Sequence, residues 1–265
     1  MRLVIKLGGS LIQSAEVPPA WLRPIVEIAQ RGHHVLLVHG GGKLVSRYLQ
    51  KLGIVSQFVQ GLRVTDQPAL EVAIMVLAGL INKQVVMGIQ RHGGRALGLC
   101  GGDAQAVIAK KMILPDGSGA SADLGFVGTI AEVNPHIFNL LFNEGFIPVV
   151  ASVAGTADHT YLNVNADHFA SAIAGEIGAD RLIYLTDVPG VLDHDGRVIR
   201  QVTSAEIDRL IADNVISGGM LPKLQACREA VAKGVSHVRI VPPDAFDINA
   251  ELSRSDMTQG TWINN

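Results

Sequence analysis

Short apolar runs recur along the chain, each bounded by polar or glycine-rich turns: Leu3-Val4-Ile5, Val35-Leu36-Leu37-Val38, Ala96-Leu97-Gly98-Leu99, Ile147-Pro148-Val149-Val150, Leu182-Ile183-Tyr184-Leu185 and Val238-Arg239-Ile240-Val241. A strand with one wet face alternates in polarity, whereas a strand covered on both faces is apolar throughout, so these runs predict buried strands. Helices are expected at about Trp21 to Arg31, Lys43 to Leu52, Pro68 to His92, Asn134 to Asn143, Asp167 to Ile177, Ser204 to Ala212 and Lys223 to Lys233. The order predicts an α/β fold with a mostly parallel sheet sandwiched between helices.

Within the long helical stretch, Val72 to Ile81 is apolar almost all round, which suits either deep core or a subunit contact. Pro115 to Ser121 reads as a turn-rich loop, a hairpin or flap, and Asp193-His194-Asp195-Gly196-Arg197 as a loop tip. Gly117, Gly119 and Ala122 match the dinucleotide-binding glycine spacing by chance, since the strand and helix that give it meaning are not adjacent. A division near residue 176, where a fresh strand-helix series begins, separates a lobe of residues 1–176 from one of residues 177–265.

Length and charge narrow the function. At 265 residues the chain is long enough for a substantial core, and 22 basic against 24 acidic side chains leave no field that would favour nucleic acid or a membrane surface. A small-molecule partner is expected. The two cysteines, Cys100 and Cys227, fit no metal-ligand spacing and read as free thiols. The Met1 to Lys6 stretch is too short for a signal peptide, and the longest apolar run is shorter than a membrane span, so a soluble cytoplasmic protein is expected.

The candidate chemistry sits at glycine turns. Lys6 opens Lys-Leu-Gly-Gly-Ser after the first strand, and Lys223 closes Gly-Gly-Met-Leu-Pro-Lys. His39-Gly40-Gly41-Gly42-Lys43 follows a buried strand and precedes a helix, where backbone N–H groups point at an anion. It is not a Walker A loop, because Leu44 stands where that motif needs Ser or Thr. Each lysine alone reads equally as a surface residue, and the glycine triplet as an ordinary tight turn. Arg63 offers a planar fork for a carboxylate, or a partner for Asp66 or Glu71. Asn163 and Asn165 alternate, so both amides would face one side of an extended chain; Asp167 follows as a site carboxylate or as a helix N-cap.

In order, Lys6-Leu7-Gly8-Gly9-Ser10, His39-Gly40-Gly41-Gly42, Gly61-Leu62-Arg63-Val64-Thr65-Asp66, Asp123 to Gly128, Val133-Asn134-Pro135, Asn163-Val164-Asn165-Ala166-Asp167, Thr186 to Val191 and Gly218 to Lys223 resemble the motifs of the amino-acid kinase superfamily, and within it the acetylglutamate kinases. The resemblance implies a three-layer αβα sandwich, the amino-acid kinase fold, with an acetylglutamate-binding N-terminal lobe and an ATP-binding C-terminal lobe. It implies that Lys6 and Lys223 stabilise the transferring phosphoryl group while Asp167 holds both lysines. Gly8, Gly9, Gly41 and Gly42 would supply backbone donors, Gly8 and Gly9 on the nucleotide side and Gly41 and Gly42 on the substrate side. Arg63, Asn163 and Asn165 would hold N-acetyl-L-glutamate, and Thr186, Asp187 and Gly190 would lie against the nucleotide. His168 and Phe169 are larger than the family's small or polar residues there.

The implied reaction moves the γ-phosphoryl of ATP to a side-chain carboxylate, with Mg²⁺ on the nucleotide phosphates and no protein metal site. A glutamate carboxyl, with a pKa of about 4.3, is already ionised near neutrality and needs no general base. Two other readings remain beside it: a related kinase acting on aminoadipate or glutamate carried on a small acidic protein, and a non-catalytic amino-acid sensor of the same fold. Entry into the first strand at Leu3 further suggests a homodimer that arginine does not inhibit, because arginine-inhibited members of the resembling family carry an extra N-terminal helix.

Overall fold

The computed structural model describes residues 1–12, 21–59, 61–115, 121–213, 215–216, 218–253 and 259–264. Its centre is a sheet ordered β14-β16-β15-β11-β1-β2-β8-β5. These strands are β1 (Arg2–Leu7), β2 (His34–His39), β5 (Ala96–Cys100), β8 (Ile147–Ala151), β11 (Arg181–Leu185), β14 (Gln201–Thr203), β15 (His237–Val241) and β16 (Thr261–Asn264). Neighbours pair in parallel except β15 with β16. The six apolar runs named above are the six parallel strands from β15 to β5.

Alternate residues of each strand feed two separate cores. Val4, Leu36, Val38 and Leu182 face a core shared with α5 (His136–Asn143), α6 (Ala166–Glu176), α7 (Ser204–Ala212) and α8 (Met220–Ala232). Leu3, Ile5, Leu7, Val35 and Leu37 face one built with α1 (Leu22–Gln30), α2 (Gly42–Lys51), α3 (Gln67–Ile74), α4 (Asn82–Arg91) and α9 (Ile248–Ser253). The sheet between two helical layers is the predicted three-layer αβα sandwich.

The predicted Pro68 to His92 helix is continuous, with a π-helical segment at Met75–Ile81 between α3 and α4. An apolar run with no polar face leaves the helical register undetermined by its own pattern, and packing sets it here: Val76, Leu77 and Ile81 are buried while Met75 and Gly79 are exposed. The helix Gln67–Arg91 is 25 residues long and holds an 18-residue stretch of mean hydropathy 1.9, long and apolar enough to cross a membrane, but half of that stretch is buried within this fold. Its span therefore exceeds the short run read from the sequence.

Four further strands, β6 (Val107–Pro115), β7 (Ser121–Val133), β9 (Val153–Gly155) and β10 (Tyr161–Val164), close into a small barrel beside the sheet. Pro115 pairs with Ser121, so the expected hairpin forms, with its tip, residues 116–120, outside the described residues. The Asp193–Arg197 turn joins β12 (Val191–Leu192) to β13 (Val198–Ile199), as its turn residues predict. The hairpin of β3 (Gln57–Val59) and β4 (Leu62–Val64) is tied to β7 where Thr65 bridges Gly125. Gly125 is required there: its φ is +71°, and a Cβ would sit 2.2 Å from the Thr65 carbonyl oxygen.

Candidate active site

Leu7 pairs with His39 on one side and with Leu185 on the other, and His39 pairs with Ala151. The loops after β1, β2, β8 and β11 therefore begin abreast, at the carboxyl edge of a parallel sheet and on either side of β1, where the chain order reverses. Open α/β sheets bind ligands there. A Cβ on Gly9 would lie 3.8–3.9 Å from Gly41 Cα, Gly41 N and Gly42 N, so the first two glycine turns face each other.

Lys6 is carried by β1, Asp167 by the first turn of α6 and Lys223 by the first turns of α8. Lys6 Nζ lies 2.7 Å from Asp167 Oδ1; Lys223 Nζ lies 3.1 Å from the same oxygen and 3.2 Å from Oδ2. All three side chains are buried. Burial pushes the Asp167 carboxyl up, but the two ammonium groups outweigh it and hold its pKa down to about 2. Burial lowers the Lys6 pKa, Asp167 opposes that, and Lys223 adds to it. Two cations on one anion leave surplus positive charge, which suits a phosphoryl group in transfer.

The N-cap of α6 is Asn165, whose Oδ1 accepts from the N–H groups of Asp167 and His168 at 2.8 and 3.4 Å. The capping alternative for Asp167 is thereby excluded, because Asn165 occupies the extended position that a cap needs and Asp167 already lies inside the helix. Lys6, Gly9, Gly41, Gly42, Arg63, Asn163, Asn165 and Asp167 line one cavity of about 270 Å³, whose apolar side includes Phe58, Leu77 and Val127. Arg63 donates to Ser56 Oγ at 2.7 Å, Ser46 Oγ at 2.6 Å and the Gly42 carbonyl oxygen at 3.1 Å, with its guanidinium over the Phe58 ring. Its acidic alternatives are engaged elsewhere: Asp66 caps α3, and Glu71 accepts from Gln67.

The residues read as nucleotide-facing sit on the β11 side. Gly8 N–H donates to the Leu185 carbonyl oxygen at 2.7 Å, and a Cβ on Gly8 would lie 3.3 Å from Thr186 Cα. Thr186 Oγ1 donates to Asp187 at 3.3 Å. Burial raises the Asp187 pKa, but hydrogen bonds from Ser10 and Thr186 and the charge of Lys43 leave it lowered. Gly190 is buried against Thr261 and Val198, so its side there is covered by protein.

Three side chains escaped the sequence reading. Ser152, nearly inaccessible, joins the cavity lining after β8. Tyr184, one aromatic in an aliphatic strand, donates from its hydroxyl to the Asp167 carbonyl oxygen at 3.2 Å and lies under Lys223 Nζ, 5.2 Å from its ring centre. Asn82 binds His39 beneath the glycine turn. The large residues after Asp167 are both accommodated: Phe169 is fully buried beside Gly101, and His168 Nδ1 lies 2.9 Å from Glu229 across α6 and α8.

Residues 1–242 match the sequence model of the amino acid kinase family. The chain belongs to that family. It is 44% identical to the acetylglutamate kinase of Koribacter versatilis, over 99% of this chain and 98% of that one. It is 47% identical to the acetylglutamate kinase of Brucella anthropi, over 90% of this chain and 82% of the relative. Among solved structures, smu.665 of Streptococcus mutans superposes with a TM-score of 0.82 at 26% identity, covering 99% of this chain and 98% of that one. As an amino acid kinase, the chain has the sandwich expected of it, and its motifs converge on one end of the sheet.

Proposed function

We propose that this amino acid kinase transfers the γ-phosphoryl of ATP to the side-chain carboxylate of N-acetyl-L-glutamate, forming an acyl phosphate. The observation that carries this reading is the meeting of Lys6 and Lys223 on Asp167 at the wall of a cavity that Arg63 and two asparagines also line. Relatives named acetylglutamate kinase, matched over nearly the whole chain, supply the substrate.

In this reading residues 1–176 bind acetylglutamate and residues 177–265 bind the nucleotide. Arg63 takes the α-carboxylate, and the Nδ2 atoms of Asn163 and Asn165 face the acetamide. The γ-carboxylate then approaches the phosphorus in line, already ionised, so catalysis consists of positioning two anions and neutralising the charge between them. Lys6 and Lys223 act on the transferring group, and Asp167, anchored by both, holds their spacing rather than accepting a proton. The N–H groups of Gly9, Gly41 and Gly42 supply further donors; the expected Gly8 donor is instead spent on the Leu185 carbonyl oxygen, so Gly8 serves by letting the turn pack close to Thr186, and Thr186, Asp187 and the Gly190 turn bound the nucleotide. Mg²⁺ arrives with ATP as part of the substrate, held mainly by the nucleotide phosphates, where it neutralises charge on the transferring group. We further propose a cytoplasmic homodimer.

Hydroxylamine trapping of the acyl phosphate, run with MgATP and acetylglutamate, tests the reading. Acetylglutamate hydroxamate is the expected product. ATP left unconsumed by folded protein would favour the sensor, and consumption only with a carrier-bound substrate would favour the carrier-protein kinase.

A further inference from the structure

The glycine turn that lines the cavity is held from beneath by side chains the reaction does not touch. Asn82, wholly buried, opens α4 where the π-helical segment ends. Its Nδ2 lies 2.8 Å from the Val149 carbonyl oxygen, 3.3 Å from that of Leu99 and 3.2 Å from His39 Nε2. Carbonyl oxygens only accept, so the amide nitrogen must face them; Lys83 Nζ, 3.1 Å from Oδ1, fits the same orientation. The two N–H groups of Nδ2 serve three acceptors, one going to the nearest, the Val149 oxygen, and the other shared between the Leu99 oxygen and His39 Nε2, which can take part only through its lone pair. The proton of the neutral ring is then on Nδ1, which lies 3.1 Å from the Gly40 carbonyl oxygen and donates to it. Burial lowers the His39 pKa to about 4, against the Gly40 hydrogen bond and with help from Lys83, so the ring is neutral at physiological pH.

One peptide plane carries this arrangement into the cavity. In a trans peptide the C=O and N–H point in opposite directions, and the described chain has no cis bond. With the Gly40 oxygen turned toward the imidazole, the Gly41 N–H points away from it; Gly40, Gly41 and Gly42 line the cavity beside Lys6 and Gly9, and Gly41 N lies 3.9 Å from where a Gly9 Cβ would stand. A proton on Nε2 instead would set the Nδ1 lone pair against the Gly40 oxygen and drive that peptide to turn. Gly41 itself has little room to shift, since a Cβ there would lie 2.1 Å from Ile81 Cδ1.

We propose that Asn82 is a positioning residue of the phosphoryl-transfer site: it sets the tautomer of His39 and, through it, aims the Gly41 N–H at the bound anion. The proposal rests on the kinase reading above. Asn82 also bridges β5 and β8 through the two carbonyls, so its test needs readouts that a purely structural role would not move.

The first readout is nitrogen-15 NMR of the full chain labelled at histidine, without substrate, with His39 assigned by its loss in His39→Gln. The expected spectrum has a protonated Nδ1 and a bare Nε2. In Asn82→Leu, which removes the donor and stays apolar, that preference is lost. The second readout is kinetic. In Asn82→Leu, kcat should fall about 10- to 100-fold, less than the roughly 10²–10³ lost when such a donor is deleted outright, with little change in either KM. The third compares two amides at position 39. His39→Asn places an amide nitrogen where Nδ1 was and should retain more turnover than His39→Gln, although glutamine is closer to histidine in bulk. An Nε2–H tautomer in the wild type, full kcat in folded Asn82→Leu, or His39→Gln matching His39→Asn would each overturn the proposal. Wild-type protein that holds the Nδ1–H tautomer yet forms no acyl phosphate would support the tautomer assignment and overturn the kinase reading alone.

Discussion

Lys6 and Lys223, one on the first strand of the sheet and the other on the last long helix, meet on a single carboxylate oxygen, Asp167 Oδ1, at 2.7 and 3.1 Å. Each ammonium raises the cost of burying the other, and the carboxylate between them offsets that cost. The pair is thus held close without saturating its charge. Such an arrangement is matched to a group that gains negative charge only during transfer, which is the condition for accelerating the reaction rather than merely binding its substrate.

Lys223→Ala should lower turnover far more than it weakens acetylglutamate binding, since Asp167 and Lys6 remain to shape the cavity. Losing one such donor costs about 2.7–4 kcal/mol of transition-state stabilisation. Steady-state kinetics on folded mutant checks this; turnover within a few-fold of wild type would remove Lys223 from the mechanism.

The Asp167 carboxyl gives a pH signature in stability. Its folded pKa of about 2 lies below the ordinary 3.8, so its contribution is fully present above the unfolded value and is lost as pH falls through the folded one. The stability gap between wild type and Asp167→Asn, followed by urea unfolding, should hold steady from neutral pH down to about pH 4 and then narrow by roughly 2 kcal/mol. A gap that already closes between about pH 7 and 5 would mean that Asp167 is not held ionised by its lysines.

Arg63→Lys should raise the KM for acetylglutamate and leave that for ATP nearly unchanged. Lysine keeps the charge but cannot serve Ser46, Ser56 and the Gly42 carbonyl as one planar fork while also facing a carboxylate. A charged hydrogen bond is worth about 1.5–3 kcal/mol, roughly ten- to a hundredfold in affinity. Equal losses for both substrates would show that Arg63 serves the hairpin rather than the ligand.

What the sequence revealed and what it concealed divide along physical lines. The six parallel strands were legible because double-sided burial makes each an unbroken apolar run. The barrel strands were not: β6 carries Lys110 and Lys111 in mid-run, so neither alternation nor continuous hydrophobicity marks it. The glycine turns announced themselves, since few other residues permit such close backbone approach. The convergence of Asp167 on both lysines came from resemblance to a family and not from spacing, because contacts across such sequence distances leave no local trace. Ser152, Tyr184 and Asn82 were hidden for a related reason. One polar residue in an apolar run reads as noise until its partner is seen.

Free glutamate should be a poor substrate. Its ammonium replaces a neutral acetamide, and Asn165, whose Oδ1 is committed to capping α6, has only its Nδ2 donors to offer it. Donor would face donor. Sites built to hydrogen-bond one group reject a mismatched analogue by as much as about 10⁴-fold in kcat/KM. Comparable specificity constants for the two amino acids would withdraw acetylglutamate as the substrate.

The assembly prediction concerns the outer stripe of the long helix. Glu71, Met75, Gly79, Lys83 and Met87 are all exposed at four-residue intervals, with Met75 and Met87 at 59% and 63%. Two large apolar side chains on one solvent face are what a two-fold contact would cover, while Leu77 and Ile81 on the opposite side are already buried under the glycine turn. A homodimer through this face puts the same helix of each subunit against its copy, so a charge placed there enters the contact twice. Met75→Glu combined with Met87→Glu should therefore convert a dimer to monomer in light scattering without loss of secondary structure. Wild-type protein that runs as a monomer, or a double mutant that remains dimeric, would rule this helix out as the contact.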